Sequence, residues 1–328
     1  MKGHNLVQRQ SRFTLGWITC RCEELLYRLV IVPLVAFLPA RLAYGLACLR
    51  GDWRYRLDKS TRKQIISNLE GVFGDQLSQA ERVSVARDFI RQKSCQAIDG
   101  MRLVGKGGAL ARLVEIRGLE YIKSALAAGK GAVLCDAHFG SIYSCSSLLG
   151  AYGFPITAVG NTISNPIMAL LGRLPFWRSN SEKHRPRHLR RPNIEPRKGQ
   201  VEAAISMAEI LRANELISIA IDVPVSREDR QHAVPVNFLG RQVPLLPGSV
   251  SIAQHTGSPV LVAVVYRSAD WRHQVLEISP VPLNGDAESD FKHCVAMVEA
   301  PIRQNLAFWD GCLNTKALVD LGLLSPEG

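Results

Sequence analysis

The sequence predicts an α/β protein in which a largely parallel mixed sheet is flanked by helices and preceded by an N-terminal helical region. From residue 118 onward, short apolar runs alternate with segments of helical periodicity, a pattern typical of βα units. Residues 59–103 show helical periodicity alone. The chain has 328 residues, 47% of them apolar, which is enough for one large domain with or without an appendage.

The N-terminal region divides into a polar segment, 1–24, and an apolar segment, 25–57. No cleavable signal peptide is evident, because the apolar segment lacks a small-residue cleavage site. Its longest uncharged stretch, 29–40, is shorter than the ~20 residues of a spanning helix and contains two prolines. Residues 25–57 therefore predict membrane-interface helices, with a buried core helix as the alternative. An anionic bilayer surface is favoured by the flanking arginines Arg9, Arg12, Arg21, Arg50, Arg54 and Arg56.

Residues 58–115 predict a helical scaffold, with helices over 59–73 and 78–103. Ser78 and Glu81 have the spacing of a capping box at the start of the second helix. The α/β domain follows over 116–312, and 313–328 is predicted as a C-terminal tail. The domain's predicted elements are helix 118–129, strand 131–137, helix 142–151, strand 155–160, helix 200–213, strand 215–222, helix 248–256, strand 259–266, strand 273–279 and helix 290–309.

Residues 173–198 form a basic loop inside this domain. It carries nine Lys or Arg against two Glu, and three prolines between 186 and 196 argue against regular structure. It is either a solvated insert or a surface that binds phosphates, with Phe176 and Trp177 as interfacial anchors.

Charge and cysteine content limit the classes of partner. The net charge of +11 favours a polyanion, such as nucleic acid, an anionic membrane or a phosphorylated substrate. No aromatic-basic sheet pattern or recognition helix accompanies the charge, so we expect no nucleic-acid partner. The eight cysteines lack metal-ligand spacing and mostly lie in apolar surroundings, which favours reduced, buried thiols over a metal or disulfide role. We expect no metal and no cofactor.

The segment GAVLCDAHFG, residues 131–140, is the main candidate for chemistry. Its apolar run predicts a buried strand that delivers His138 to the carboxyl edge of the sheet, before a turn at Gly140 and a new helix. A neutral imidazole there could take the proton from an acceptor hydroxyl. A lone histidine is more often structural, so this residue alone does not establish catalysis.

A second strand delivers a carboxylate to the same edge. ELISIAIDVPV, residues 215–225, is an apolar strand that ends in Asp222 before a proline-containing loop. Downstream, Phe238–Arg241 predicts a glycine-bearing loop, and Gly248 suits the close start of a helix. This convergence is harder to obtain by accident than any single residue.

These motifs together resemble the lysophospholipid acyltransferase superfamily. The resemblance rests on AHFG at 137–140, the strand ending in Asp222, VPVNFLGR at 234–241 and PGSVSIAQHTGSPVLVAVVYR at 247–267, in that order. Within it, the chain looks most like the late, lauroyl- or myristoyl-type acyltransferases of lipid A biosynthesis. These are bacterial membrane enzymes that move a fatty acyl chain from acyl carrier protein to a lipid hydroxyl. Residues 55–82 also resemble their pre-catalytic region, so the resemblance covers about residues 25–310.

The family's signature is a histidine followed, after four residues, by an Asp or Glu that orients the imidazole. The resemblance implies that His138 is the base, but Tyr143 occupies the acid position. We hypothesise that Asp136, two residues before His138 on one strand face, or Asp222 from the neighbouring strand replaces this acid. Alternatively, Asp136 only caps a strand end. Full activity of an Asp136→Asn, Asp222→Asn double variant would rule the replacement out.

The resemblance also implies residues that bind substrate. Arg197, with Arg191 as a competitor, would grip phosphate or the donor arm, and backbone amides near Gly140 would stabilise the oxyanion. Asp222 and the Phe238–Arg241 loop would shape the acceptor site, although residues 307–310 lack the family's following His-Arg pair, which leaves room for a different acceptor. The substrate-binding candidates are Gly140, Tyr143, Arg197, Phe238, Gly240, Arg241 and Gly248.

The sequence therefore predicts a monotopic or peripheral acyltransferase at the cytoplasmic face of the inner membrane. Its donor would be an acyl thioester of acyl carrier protein or coenzyme A, and its acceptor a lipid hydroxyl or amine, with anionic membrane lipid as a further partner. The basic surface suits both an acidic carrier protein and anionic lipid. One alternative is a related transferase with another acceptor, because an amine needs less help from a base. The other is a catalytically inactive homologue that binds lipid or carrier protein as a partner.

Overall fold

The computed structural model describes residues 26–104, 111–140, 145–160, 194, 196, 199–226 and 229–325. Pro39 precedes the helix that begins at Ala40. Asp58 caps the helix that begins at Lys59 by accepting the Thr61 amide at 3.0 Å. Glu81 accepts the Ser78 amide at 2.8 Å, so the predicted capping box is confirmed. The N-terminal helices are α1 (Val32–Ala36), which continues a π-helical turn at Tyr27–Ile31, α2 (Ala40–Leu57), α3 (Lys59–Phe73) and α4 (Gln79–Val104).

The described residues contain a six-stranded sheet and a separate hairpin. In chain order the strands are β1 (Val114–Arg117), β2 (Ala132–Asp136), β3 (Ile156–Val159), β4 (Leu216–Ala220), β5 (Val234–Phe238), β6 (Arg241–Leu245), β7 (Val260–Arg267) and β8 (Gln274–Pro280). The sheet order is β1–β8–β7–β2–β4–β3, and β5 pairs with β6 as the hairpin. Every neighbouring pair in the sheet is parallel except β7–β8. The predicted largely parallel mixed sheet is therefore confirmed.

Helices cover both faces of this sheet. On β2, Val133 and Cys135 join one apolar core, whereas Ala132 and Leu134 join another on the opposite face. Burial on both faces explains why the strand reads as an unbroken apolar run. The helices of this part are α5 (Leu119–Ala127), α6 (Cys145–Ala151), α7 (Gln200–Arg212), α8 (Gly248–Thr256), α9 (Ala287–Gln304) and α10 (Thr315–Leu321).

Several elements differ from the sequence-based expectation. The stretch expected as a glycine-bearing loop is the hairpin β5–β6, in which Leu239 and Gly240 form the turn with φ of 53° and 83°. Pro235 pairs with Pro244 across the hairpin. Because proline is uncommon in strands, the sequence pattern did not predict either of them. Strand β1 was also not predicted, and the helix expected over 290–309 ends at Gln304. The segment expected as a tail contains α10, whose buried leucines join the core.

The N-terminal helices pack on the domain through α4. Ala43, Tyr44 and Ala47 on α2 form a buried cluster with Cys95 and Ile98 of α4. The other face of α2 stays exposed and apolar. Among the residues described, none of the helices combines the length and apolar character needed to cross a bilayer.

Candidate active site

His138 and Asp222 lie at the same edge of the sheet because of strand register. β2 and β4 are parallel neighbours in which Asp136 is paired with Ala220. His138 and Asp222 each follow this pair by two residues. The carboxyl ends of parallel strands meet at one edge, where α/β sheets commonly build binding sites. The register therefore brings together two side chains that are 84 positions apart in sequence.

Asp222 forms a dense set of hydrogen bonds with His138. The ring Nδ1 of His138 lies 2.8 Å from Asp222 Oδ1, and the His138 backbone N–H donates to both carboxylate oxygens at 3.0 and 3.1 Å. The indole N–H of Trp309 donates to Asp222 Oδ2 at 3.0 Å. Asp222 is buried, whereas 49% of the His138 side chain is exposed. Nδ1 is thus bound to the carboxylate, which leaves Nε2 as the ring atom for a substrate.

The charges of the pair stabilise each other. The carboxylate charge of Asp222, followed by its hydrogen bond, raises the pKa of His138 from 6.5 to about 9, against the opposing effect of burial. Burial disfavours ionisation of Asp222, but the His138 charge and the hydrogen bonds from His138 and Trp309 outweigh it and hold its pKa below the usual value. The pair therefore favours an imidazolium–carboxylate state at neutral pH.

Asp136, the other predicted replacement acid, has a different partner. Its carboxylate accepts the Ser218 hydroxyl at 2.7 Å, and burial raises its pKa to about 6. Its charge acts on His138 more weakly than that of Asp222 does. Of the two carboxylates, Asp222 is the one in contact with the imidazole.

The turn after His138 is held by the segment 306–310. The Gly140 N–H donates to the Phe308 carbonyl at 2.7 Å, and the His138 carbonyl accepts the Asp310 N–H at 2.8 Å. The Phe139 N–H donates to the Ala137 carbonyl at 2.6 Å. The amides of residues 138–140 are thus all engaged within the protein, and those of residues 141–144 lie outside the described residues, so stabilisation of an oxyanion by amides near Gly140 stays a prediction.

Gly140 has a backbone role in this turn. Its φ is +77°, and a Cβ at this position would lie 1.7 Å from the Val265 carbonyl oxygen. Only glycine fits this combination of conformation and close approach.

Trp309 and Ser218 are site residues that sequence reasoning missed. Trp309 is almost fully buried and contacts the Phe238 ring edge-to-face at a centroid distance of 6.0 Å. Phe238 is itself buried, so it supports the tryptophan that binds Asp222. A buried indole N–H needs an acceptor, which is the signal by which Trp309 could have been found.

The remaining substrate-binding candidates either lie in the hairpin β5–β6 and at the start of α8 or fall outside the described residues. Gly240 is in the hairpin turn, and the exposed Arg241 donates to the Gly71 carbonyl on α3 at 2.8 Å. Gly248 is exposed at the start of α8. Outside the described residues lie Tyr143, Arg197, Arg191, the polar segment 1–24 and nearly all of the basic loop 173–198.

The cysteines of the described residues are free thiols. Cys95, Cys135, Cys145, Cys294 and Cys312 are buried and Cys48 is half-buried. Cys20 and Cys22 fall outside the described residues.

Comparison with known proteins gives one family for most of the chain. The family described as bacterial lipid A biosynthesis acyltransferase matches residues 25–309 of the chain. The chain is 24% identical over 256 residues to a lipid A biosynthesis acyltransferase of Haemophilus influenzae, with 78% of this chain and 75% of that protein covered. Among solved structures, the 1-acyl-sn-glycerophosphate (LPA) acyltransferase PlsC from Thermotoga maritima matches at 16% identity and a TM-score of 0.34, over 78% of this chain and 99% of that one. On the breadth of the family match, the chain belongs to the bacterial lipid A biosynthesis acyltransferases.

Proposed function

We propose that this protein transfers an acyl chain from a thioester of acyl carrier protein or coenzyme A to a hydroxyl of a lipid A-like acceptor, at the cytoplasmic face of the inner membrane. The observation that carries the proposal is the His138–Asp222 contact at the carboxyl edge of the sheet. An imidazole oriented through Nδ1 and half-exposed is the arrangement that a general base requires.

The proton transfers follow from this geometry. Nε2 of neutral His138 takes the proton of the acceptor hydroxyl while its oxygen attacks the thioester carbonyl. The tetrahedral intermediate then collapses, the carbon–sulfur bond breaks, and the imidazolium returns the proton to the thiolate. A His138 pKa of about 9 lies close to the ~8.5 of a thiol, so the imidazolium is well matched to this second step. The first step needs the neutral ring, so turnover rises with pH.

Asp222 replaces the acid that the family places five residues after the histidine. It keeps the proton on Nδ1 and stabilises the imidazolium that forms during attack. Trp309 holds the second carboxylate oxygen, which limits rotation of Asp222 away from the ring.

The exposed face of α2 supports binding to a membrane surface. Leu42, Leu46, Leu49, Trp53 and Leu57 follow one another at helical spacing, and each is between 46% and 66% exposed. Leu34 and Phe37 extend this surface onto α1 and the turn after it, at 65% and 72%. Soluble surfaces seldom expose so continuous an apolar stripe. The basic side chains Arg41, Arg54 and Arg56 accompany the stripe on α2 and complement anionic headgroups.

Acyl transfer by the purified protein tests the chemistry. The assay presents radiolabelled acyl-carrier and acyl-CoA thioesters of several chain lengths with total bacterial lipid. Transfer should be lost in His138→Ala and retained in His273→Ala, a matched control because His273 forms a surface pair with Asp270 at 2.7 Å. No transfer from any donor, with liposome binding intact, would replace the proposal with a non-catalytic partner that binds lipid or carrier protein.

Vesicle flotation tests the membrane surface. A Leu46→Gln, Leu49→Gln variant should bind vesicles containing phosphatidylglycerol at least about tenfold more weakly than the native chain. The matched control is Val201→Gln, Ile205→Gln on α7, where the side chains lie outside the stripe and are 69% and 54% exposed, against 46% and 66% for Leu46 and Leu49. Equal losses in the two variants would contradict the assignment of α2.

A further inference from the structure

Two glutamines of α4 bind the backbone of the turn that carries His138. The Nε2 groups of Gln92 and Gln96 both donate to the Gly140 carbonyl, Gln92 at 3.0 Å. Both side chains are buried. The segment 306–310 holds the turn through the Gly140 N–H and the His138 carbonyl, and the glutamines add hydrogen bonds to the Gly140 carbonyl from a different element.

A buried arginine fixes the orientation of one glutamine. Arg267 at the end of β7 donates through Nε to Gln92 Oε1 at 2.8 Å. A guanidinium can only donate, so the amide oxygen of Gln92 must face Arg267 and its NH2 must face Gly140. Arg267 is held in turn by Asp99 and by the Trp271 carbonyl, which it reaches at 3.0 Å.

The network extends to the membrane-facing helix. The other Asp99 oxygen accepts the Tyr44 hydroxyl at 2.7 Å, and Tyr44 lies on the buried face of α2. The Arg267 and Asp99 side chains are 1% and 0% exposed. A buried ion pair is weak evidence for added stability, because desolvation offsets most of the attraction. Positioning of the neighbouring turn accounts for this network better than stability does.

We propose that Gln92 and Gln96, with Gln92 oriented by Arg267, are positioning residues that hold the His138 turn against Asp222. This inference rests on the proposed function, since it assigns the network a purpose in the same site. The His138 N–H and ring both bind one carboxylate, so a shift of the turn loosens both contacts together. The glutamines touch neither substrate nor reacting atoms and act only through the turn.

A double variant, Gln92→Met, Gln96→Met, tests the inference. It removes both donors to Gly140 without adding charge and at nearly constant volume. Nitrogen-15 NMR of labelled histidine gives the His138 pKa, with the signal assigned by its loss in His138→Ala. We expect the pKa to fall by about one unit or more from about 9, because the ring moves away from the Asp222 charge. At about pH 10, where the ring is mostly neutral in both proteins, we also expect kcat to fall about tenfold or more while KM changes little.

The substitutions leave the charges around His138 in place. Those acting on its ring come from Asp222, Asp136 and Asp310, and Lys93 forms an ion pair with Asp310. The matched control is Gln254→Met, which removes a hydrogen bond from a half-buried glutamine to Asp290 on α9. Its His138 pKa should equal that of the native chain.

A folded double variant with an unchanged His138 pKa would overturn the inference, whatever its activity. If the double variant does not fold, Gln92→Glu replaces it. That change keeps an acceptor for Arg267 but loses the Gln92 donor to Gly140, while Gln96 keeps its own. If the new carboxylate of Gln92→Glu acted only through its charge, it would raise the His138 pKa. Displacement of the turn lowers this pKa, so the direction of the measured shift distinguishes the two effects. The pKa is measured without turnover, so an inactive native chain would refute the proposed function and leave this test intact.

Discussion

Replacement of Asp222 by Asn should change the pH dependence of turnover as well as its size. The variant keeps the shape of the side chain but removes the charge that is the largest cause of the rise in the His138 pKa from 6.5 to about 9. At pH 7 about one native ring in 100 is neutral, whereas in the variant most are. Loss of an orienting carboxylate lowers turnover ~10⁴-fold in a serine-protease triad, and we expect a loss of that order where both rings are neutral.

The loss of turnover in Asp222→Asn, relative to the native chain, should therefore become smaller as the pH falls. A return of the His138 pKa from about 9 toward 6.5 makes the ratio of native to variant turnover smaller at low pH than at high pH, by up to ~300-fold. The assay measures single-turnover acyl transfer between about pH 6 and pH 10, with Asp136→Asn as the control. The control should keep a profile close to the native one, because Asp136 is bound to Ser218. Parallel profiles for the native chain and Asp222→Asn would refute the assignment of Asp222 as the partner of His138.

Three further predictions concern the same site. Trp309→Phe removes the N–H donor to Asp222 but keeps an aromatic ring, so turnover should fall about tenfold with a small loss of unfolding midpoint; unchanged turnover would contradict this role. Gly140→Ala places a Cβ 1.7 Å from the Val265 carbonyl, so urea denaturation should show ~3 kcal/mol or more of destabilisation, and a native midpoint would be inconsistent with the turn. The raised His138 pKa contributes stability below pH 6.5 that disappears as pH rises through about 9, so the difference in melting temperature between the native chain and His138→Gln should narrow over that range; a constant difference would exclude this linkage.

Periodicity was sufficient to predict the sheet and the edge of it at which His138 and Asp222 meet. Apolar runs ending at Asp136 and near Asp222 predicted two strands of a parallel sheet, and parallel strands bring their carboxyl ends together. Periodicity was not sufficient to choose between the two carboxylates. That choice depends on the register of β2 against β4, which sets Asp222 beside the ring and Asp136 beside Ser218.

Contacts between distant segments were beyond local reasoning. Residues 306–310 return to bind the turn at 138–140, a contact across about 170 positions that engages the Gly140 amide. The contacts of Gln92 and Gln96 with Gly140 were not predicted for the same reason, because a glutamine inside a helical pattern gives no local indication of its partner. The hairpin was missed because Pro235 and Pro244 are poor strand residues unless the strands lie outside a central sheet.

The family spacing of histidine and acid is one solution to a geometric requirement. The proposed chemistry requires a carboxylate at Nδ1, and this carboxylate can come from the helix after the histidine or from the next parallel strand. In this protein the carboxylate comes from the next strand. Asp222 is bound by three donors, which are the His138 N–H, the His138 ring and the Trp309 indole. Such a carboxylate stays ionised although it is buried. A tyrosine at position 143 is therefore compatible with an oriented base, because the residue that decides orientation follows β4 in the sequence.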